Sequence, residues 1–226
     1  MPKLLEVIVT SVDEAKQAEQ GGADRLELVR AFELGGLTPP PKLVEQVVAA
    51  VSIPVRVMLR ENASMAASDA HEIGGLQTCA AQLAQLPIDG FVLGFVKNGG
   101  LDLEAMDRVL AAAPASRVTL HRAFEHASDP MLALQQVKRF SQIDRILSSG
   151  GDGAWPHRKA RLLELQTAAA PDIRILIGVG LCTSIITEMS QCSEQFEFHV
   201  GRAARLPQTT SGIVSSQQVA QLKALL

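Results

Sequence analysis

PVRVMLR, residues 54–60, mixes two kinds of side chain in strict alternation. Val55, Val57 and Leu59 make an apolar set, while Arg56, Met58 and Arg60 make a second set carrying two guanidiniums. Successive side chains of a strand point to opposite faces, so the stretch reads as a strand with one apolar and one charged face. Where the charged face points depends on the other strands.

Similar runs recur along the 226 residues. LLEVIV (4–9), RLELV (25–29), PVRVML (54–59) and GFVLG (90–94) lie in the first half. RVTLH (117–121), DRILSS (144–149), IRILIG (173–178) and FEFHVG (196–201) lie in the second. Stretches with helical spacing separate them, clearest at 12–20, 41–50, 69–85, 102–112, 130–140, 156–169, 183–190 and 215–225. Strictly alternating strands and helices predict a parallel sheet with crossover helices. Eight βα units in this length predict one domain over 1–226, a closed α/β barrel of the (β/α)8 (TIM) type.

In such a barrel one strand face meets the helices and the other meets the axis. Six strands have one wholly apolar parity, which is assigned to the helices. The other parity then sends Glu6, Glu27, Arg56, His121, and Glu197 or His199, toward the axis. Isolated buried charge is costly, so these groups must pair or be wet. Arg25, Arg145 and Arg174 enter near the bottom and read as interior ion pairing. Glu27, Arg60, His121 and His199 end their strands and read as a pocket at the C-terminal mouth, with Glu6 and Arg56 beneath or beside them. That mouth is where barrel enzymes keep their sites. His121 begins VTLHRAFE's exit, so Arg122, of opposite parity, is expected to brace the rim, and Glu125 to stand behind the pocket residues. Asp24, Asp89 and Asp144 each precede a strand and are expected to do turn or capping work.

The segments after strand ends are the long Gly/Pro-rich ones, as expected of functional loops: 31–41, 61–75, 97–100, 149–156 and 201–212. SSGGDG after the sixth strand, GVG after the seventh and VGRAAR after the eighth offer backbone N–H groups and a guanidinium for an anion. Gly150, Gly178, Gly180 and Arg202 are its candidate contacts, although glycine also serves any tight turn. Glu6, Glu27 and His121 are the candidate acid–base residues, with Arg56, Arg60 and His199 as further substrate contacts. Paired carboxylates suit proton abstraction or glycoside-type chemistry.

Other chemistries fit less well. None of the lysines ends a strand, which disfavours a Schiff base. Cys79, Cys182 and Cys192 lack metal-ligand spacing, and the thioethers of Met58 and Met65 are more simply packing. A hard divalent ion on His121, His199 and Glu27 has no support from spacing, so no metal ligands are assigned. His71, His126 and His157 are expected on the surface. The net charge of −3 with no basic stripe disfavours nucleic acid. No apolar run reaches membrane-spanning length, and MPKLLEVIVTS is not read as a signal peptide. Few, odd-numbered cysteines fit a reducing, cytoplasmic setting.

LEVIVTSVDEA, GGADRLELV, GGLTPP, IPVRVMLR, VTLHRAFE, DRILSSGG and EFHVGRA, in that order, resemble the CutC family, which is named for copper homeostasis. The resemblance spans about residues 4 to 206. It implies a (β/α)8 barrel, a cytoplasmic protein and a homo-oligomer, often a dimer. Copper as a cofactor is implied by the family name alone. The family pattern often has cysteines where this chain has Ile8 and Val29, so thiolate copper ligation does not carry over. Its Gly-rich, aromatic stretch after the third strand is here Arg60–Met65. The family matches fall on Glu6, Glu27, Arg56, His121, Arg122 and His199. Two functions stand open at this point. One is copper handling. The other is a barrel enzyme (lyase, isomerase or glycoside-type hydrolase) acting on a small hydroxylated or anionic metabolite in the mouth.

Overall fold

The computed structural model describes residues 3–67 and 69–226. Eight parallel strands close a barrel in chain order: β1 (Leu5–Val9), β2 (Arg25–Leu28), β3 (Val55–Met58), β4 (Gly90–Leu93), β5 (Arg117–Leu120), β6 (Ile143–Ser148), β7 (Arg174–Ile177) and β8 (Glu197–Val200). Eight helices wrap it: α1 (Val12–Gln20), α2 (Pro41–Ala50), α3 (Ala70–Leu83), α4 (Leu103–Ala111), α5 (Pro130–Val137), α6 (Trp155–Ala169), α7 (Thr183–Cys192) and α8 (Ser216–Lys223). The predicted (β/α)8 architecture is the one observed.

The apolar parity packs as expected. Leu5, Val7, Leu26, Leu28, Val55, Val57, Val118, Leu120, Ile175, Ile177, Phe196 and Phe198 are buried against Ala15, Val44, Leu76, Met106, Val109, Leu162 and Ile186 of the helices. Burying each such side chain contributes about 1.5–3 kcal/mol, so this shell dominates stability. Helix starts are set locally. Ser11, Asp69, Asp102 and Asp129 accept backbone N–H groups of the first turn, and Pro41 and Pro130 open their helices.

Register decides which inward groups meet. Glu6 stands beside Arg25 on β2 and His199 on β8, and Glu27 beside Arg56 on β3. Between β5 and β6 the register shifts, with Ile143 opposite Val118 and Arg145 opposite Thr119. Asp144 is therefore an extra residue at a bulge, which re-aims its side chain. It bonds Arg56 and Arg145, not a turn. Asp89 likewise takes Arg56 Nε at 2.9 Å. Both aspartates depart from the expected capping role, because a buried guanidinium needs carboxylate partners more than a turn needs a cap. Asp24 also bonds outside its own turn, accepting the Leu5 N–H at 2.7 Å and Lys223 Nζ at 2.6 Å, which ties the start of β1 to α8.

The exits carry the irregular structure. Residues 96–97 and 100–101 form a small ladder, and so do 205–206 and 213–214. Short 3-10 turns follow β5 at Arg122–His126 and β8 at Arg202–Ala204. Among the described residues no helix is long and apolar enough to cross a membrane. His71, His126 and His157 are exposed, as the sequence suggested.

Candidate active site at the barrel mouth

The lower barrel is a lattice of buried ion pairs. Arg25 Nε bonds Glu6, and its Nη2 lies 3.2 Å from Glu197. Arg145 donates Nη2 to Glu197 at 2.9 Å, and Arg174 Nη1 stands 4.0 Å from it. Arg56, wholly buried, donates to Asp144 at 2.7 and 2.8 Å, to Asp89 at 2.9 Å and to Thr119 Oγ1 at 2.7 Å. Four of its five N–H groups are thus taken by the lattice and the side chain is wholly buried, so Arg56 is not placed to contact substrate. Arg25 and Arg145 match the expected interior ion pairing, whereas Arg174 is exposed and stands only at the edge of the lattice.

Above this lattice lies a cavity of about 440 Å³ that opens at the C-terminal mouth. It is lined by Glu27, Arg60, His121, His199, Gly180 and Arg202 among the expected residues. Glu6, Arg56, Gly150 and Gly178 are not part of its wall. Glu6 is fully buried under it, bonded to Arg25 and, at 2.7 Å, to His199 Nδ1. Its carboxylate is already spent, so Glu6 acts through His199 instead of on a ligand. The apolar wall is built by Ile8, Phe32, Met58, Leu147, Leu181 and Val200. Ile8 and Met58 cluster with Val29 and Val92, so both positions expected to hold cysteine in the family pattern are hydrocarbon packing here.

His121 is the most informative residue. The Ala123 N–H donates to its Nδ1 at 3.1 Å, which puts the proton of the neutral ring on Nε2. Nε2 is buried and has no hydrogen-bond partner. Burial, helped by the nearby Arg60 charge, pushes its pKa down to about 3, so the ring is neutral at physiological pH. Nε2–H is thus a donor at the cavity wall awaiting an acceptor.

Glu27 is the carboxyl of the cavity. Burial and the Glu6 charge raise its pKa to about 7, against the pull of His199, Arg25 and Arg60. His199 Nε2 lies 3.4 Å from Glu27 Oε2. Burial disfavours a charged His199, but Glu27 and Glu6 hold its pKa above the usual histidine value. Burial works against the Glu6 charge too, yet Arg25 and His199 keep its carboxyl far below the carboxylate range.

The arginines at the mouth differ in what they have left to give. Arg60 donates to the carbonyls of Gly35, Asn62, Ala63 and Ser64. It staples two exit loops and offers the cavity its charge more than its donors. Arg122 reaches the cavity wall, contrary to the parity expectation. Alternation stops at Leu120, and Arg122 sits in a 3-10 turn where it no longer applies. Arg122 Nε bonds Glu125 at 2.7 Å. Arg202 is exposed on the opposite exit and has no bonded partner among the described residues.

The expected anion cradle after β6 is filled by the protein itself. Glu125 Oε1 accepts the Ser149 N–H at 2.6 Å, the Ser149 hydroxyl at 2.7 Å, the Ser148 hydroxyl at 3.1 Å and the Gly151 N–H at 3.2 Å. Gly150 is needed for space and conformation: its φ is +82°, and a Cβ there would lie 2.4 Å from the Arg158 carbonyl oxygen. Gly178 is also steric, since a Cβ would meet Leu147 at 2.6 Å and the His199 ring at 3.3 Å. Of the glycines proposed for anion contact, Gly180 alone stays at the cavity wall.

Phe32, Leu181, Arg122 and Gln208 also line the site without having been read as site residues. They lie outside regular strands, where side-chain period carries no signal. The long loops were the available clue.

Comparisons with known proteins agree with this architecture. The CutC family model matches residues 3–203. A family protein CutC from Histophilus somni is 32% identical over 197 residues, covering 87% of this chain and 81% of its own. The human copper homeostasis protein cutC homolog is 32% identical over 197 residues, covering 87% and 72% respectively. A solved copper homeostasis protein CutC from Streptococcus agalactiae superposes with a TM-score of 0.78 at 21% identity, covering 87% of this chain and 98% of that one. That likeness speaks to the fold.

Proposed function

This chain belongs to the CutC family, and on that premise we propose that it is a barrel enzyme carrying out acid–base chemistry on a small hydroxylated or anionic metabolite. The observation that carries this reading is the unpartnered, buried His121 Nε2–H in the same cavity as a carboxyl that titrates near neutrality. A neutral imidazole donor stabilises charge developing on a substrate oxygen, and a carboxyl with a pKa near 7 gives or takes a proton at working pH. Arg122 and Arg202, with the charge of Arg60, favour an anionic substrate. Glycoside hydrolysis fits less well than proton transfer beside a carbonyl. It uses two carboxyl groups flanking one bond, and of Glu6 and Glu27 only Glu27 reaches the cavity.

Copper as cargo is the second reading, supported by the names of its relatives. Copper(I) sites use thiolate or thioether donors. Cys79 is half-buried in α3, where burial raises its pKa, and Cys182 and Cys192 are exposed at opposite ends of α7. None lines the cavity, and the described residues hold no group of three or more His, Cys, Asp or Glu suited to a metal. Met58 and Met65 are the soft donors at the mouth. This donor set does not fit a thiolate copper site.

The test is proton exchange. Small hydroxy acids, keto acids and sugar phosphates are incubated with the protein in D2O and followed by proton NMR. Loss of a C–H signal beside a carbonyl is expected for at least one of them, falling 10²-fold or more in folded Glu27→Gln and His121→Asn variants, on the order expected for general acid–base groups. Exchange that both variants retain would sink the reading. In parallel, copper(I) titration against a competing chelator should show only weak binding; tight stoichiometric binding would restore the copper reading.

A further inference from the structure

We infer that His199 is the second half of the acid–base group: Glu27 and His199 form one proton-holding pair on the cavity floor, pinned from below by Glu6 and Arg25. The inference rests on the acid–base reading above and deepens it. Three features of the structure carry it.

The first is geometry. His199 meets a carboxylate at each ring nitrogen: Nδ1 is hydrogen-bonded to Glu6 at 2.7 Å, and Nε2 stands 3.4 Å from Glu27 as an ion pair. Glu6 has its other oxygen on Arg25, which fixes Glu6 and through it the ring. Glu27 has no such anchor. Its close ionic partner is His199, and it faces the cavity. An ionised Glu6 needs Nδ1–H as its donor, so the proton that can change hands lies on the Glu27 side.

The second is charge. The carboxylate nearest the pair is Glu6, which bonds the His199 ring at 2.7 Å. Its charge favours a proton on His199 and on Glu27, opposed by Arg25 and, at Glu27, by Arg60. The directions of shift agree, with both Glu27 and His199 raised.

The third is space. β7 presents Gly178 to the ring, where a Cβ would stand 3.3 Å from His199 Cδ2. β6 presents the hydrocarbon of Leu147. Those two strands meet the ring with a glycine and hydrocarbon, and the charges that act most strongly on the pair are Glu6, Arg25 and Arg60.

The pair assigns a reaction class. A C–H bond beside a substrate carbonyl breaks, and its electrons form the enolate C=C while the carbonyl π electrons move to oxygen. That oxygen accepts the His121 Nε2–H. The proton passes to Glu27, whose pair with His199 then holds two protons, and it returns to the same carbon or, where that carbon carries a hydroxyl, to the former carbonyl carbon as the hydroxyl proton moves to the first oxygen and the hydroxyl becomes the new carbonyl. Isomerisation or epimerisation closes this cycle with no other reactant. In these terms His199 is a positioning and proton-holding residue, acting through Glu27.

The pair is tested without substrate. Protein labelled with 15N-histidine is titrated by long-range proton–nitrogen NMR, His199 being assigned by the signal lost in His199→Gln. Both ring nitrogens of His199 are expected to stay protonated at pH 7, with a midpoint above that of a free histidine. Glu27→Gln should lower the midpoint by about one pH unit or more, the size of effect a neighbouring charge exerts at this range. A neutral His199 ring at pH 7, or a midpoint indifferent to Glu27→Gln, would overturn the pair. Should Glu27→Gln not fold, carboxyl 13C shifts of wild-type Glu27 decide. A titration that tracks the His199 ring supports the pair, and one near 4.5 that ignores the ring overturns it. Deuterium exchange separates this from the functional reading, since an intact pair in a protein without exchange chemistry counts against the function and not against the pair.

Discussion

Glu125 and Ser149 meet where the exits of β5 and β6 come together, the carboxylate accepting both the Ser149 N–H, at 2.6 Å, and its hydroxyl, at 2.7 Å. A Gly-rich loop that reads as an anion cradle is thereby occupied by a neighbouring side chain. The same carboxylate aims Arg122, through Nε at 2.7 Å, along the cavity wall. Burial works against the Glu125 charge, yet Ser149 and Arg122 hold its pKa below the usual carboxylate range. Glu125→Ala should cost about 1–3 kcal/mol by leaving several donors unpaired. Faster amide exchange at Ser149 and Gly151 is its signature, and added inorganic phosphate should recover part of the stability in the variant but not in wild type. Unchanged exchange at both amides would show that the cradle does not depend on Glu125.

Arg56 and Asp144 form a two-pronged pair in the lower barrel, at 2.7 and 2.8 Å. Removing one member of a buried pair strands its partner's charge. Arg56→Met should therefore destabilise the protein by about 3–5 kcal/mol in urea unfolding. The double change Arg56→Met with Asp144→Leu should lose less than Arg56→Met alone. A larger loss in the double variant would show that the pair is not the unit of stability there.

His121 links stability to pH. Its folded pKa is about 3, against 6.5 for the free side chain. The unfolded chain therefore takes up the proton first as pH falls. The sign follows: the contribution is complete above pH 6.5 and is lost as pH drops from there toward 3, at up to about 1.4 kcal/mol per pH unit. His121→Asn keeps an acceptor for the Ala123 N–H and removes the titration. Wild type should thus lose more stability than His121→Asn between pH 6.5 and 4, measured by chemical denaturation at fixed pH. Parallel curves for the two proteins would mean that His121 is not buried in its neutral form.

Gly178 leaves room for the His199 ring. Gly178→Ala puts a methyl 2.6 Å from Leu147 Cδ1 and 3.3 Å from the ring. Overpacking of this kind costs about 1–3 kcal/mol. It should also move the His199 ring nitrogen signals, whereas Gly180→Ala, strained by a φ of +69° but with a Cβ that meets nothing within 4 Å, should leave them in place. Identical His199 spectra in both variants would show that the ring does not depend on Gly178 for its position.

Strand period and helix spacing are local properties, and they were enough to read the barrel from the sequence. Alternation in RLELV, PVRVMLR, RVTLH and FEFHVG separated side chains that pack on helices from those that face the axis, because a strand's faces are set by backbone geometry alone. That picked out Glu27, Arg60, His121 and His199, all at the cavity wall. It could not rank depth along the axis, which depends on how neighbouring strands are staggered. Register lowered Arg56 into a carboxylate lattice and put Glu6 under His199, and a bulge turned Asp144 inward. Nor could it tell which charges were already spent. The donors of Arg60 go to four carbonyls, and the cradle after β6 goes to Glu125. Local sequence determines which way a side chain points; only the packed barrel decides what it meets there, because those partners come from segments distant in the chain.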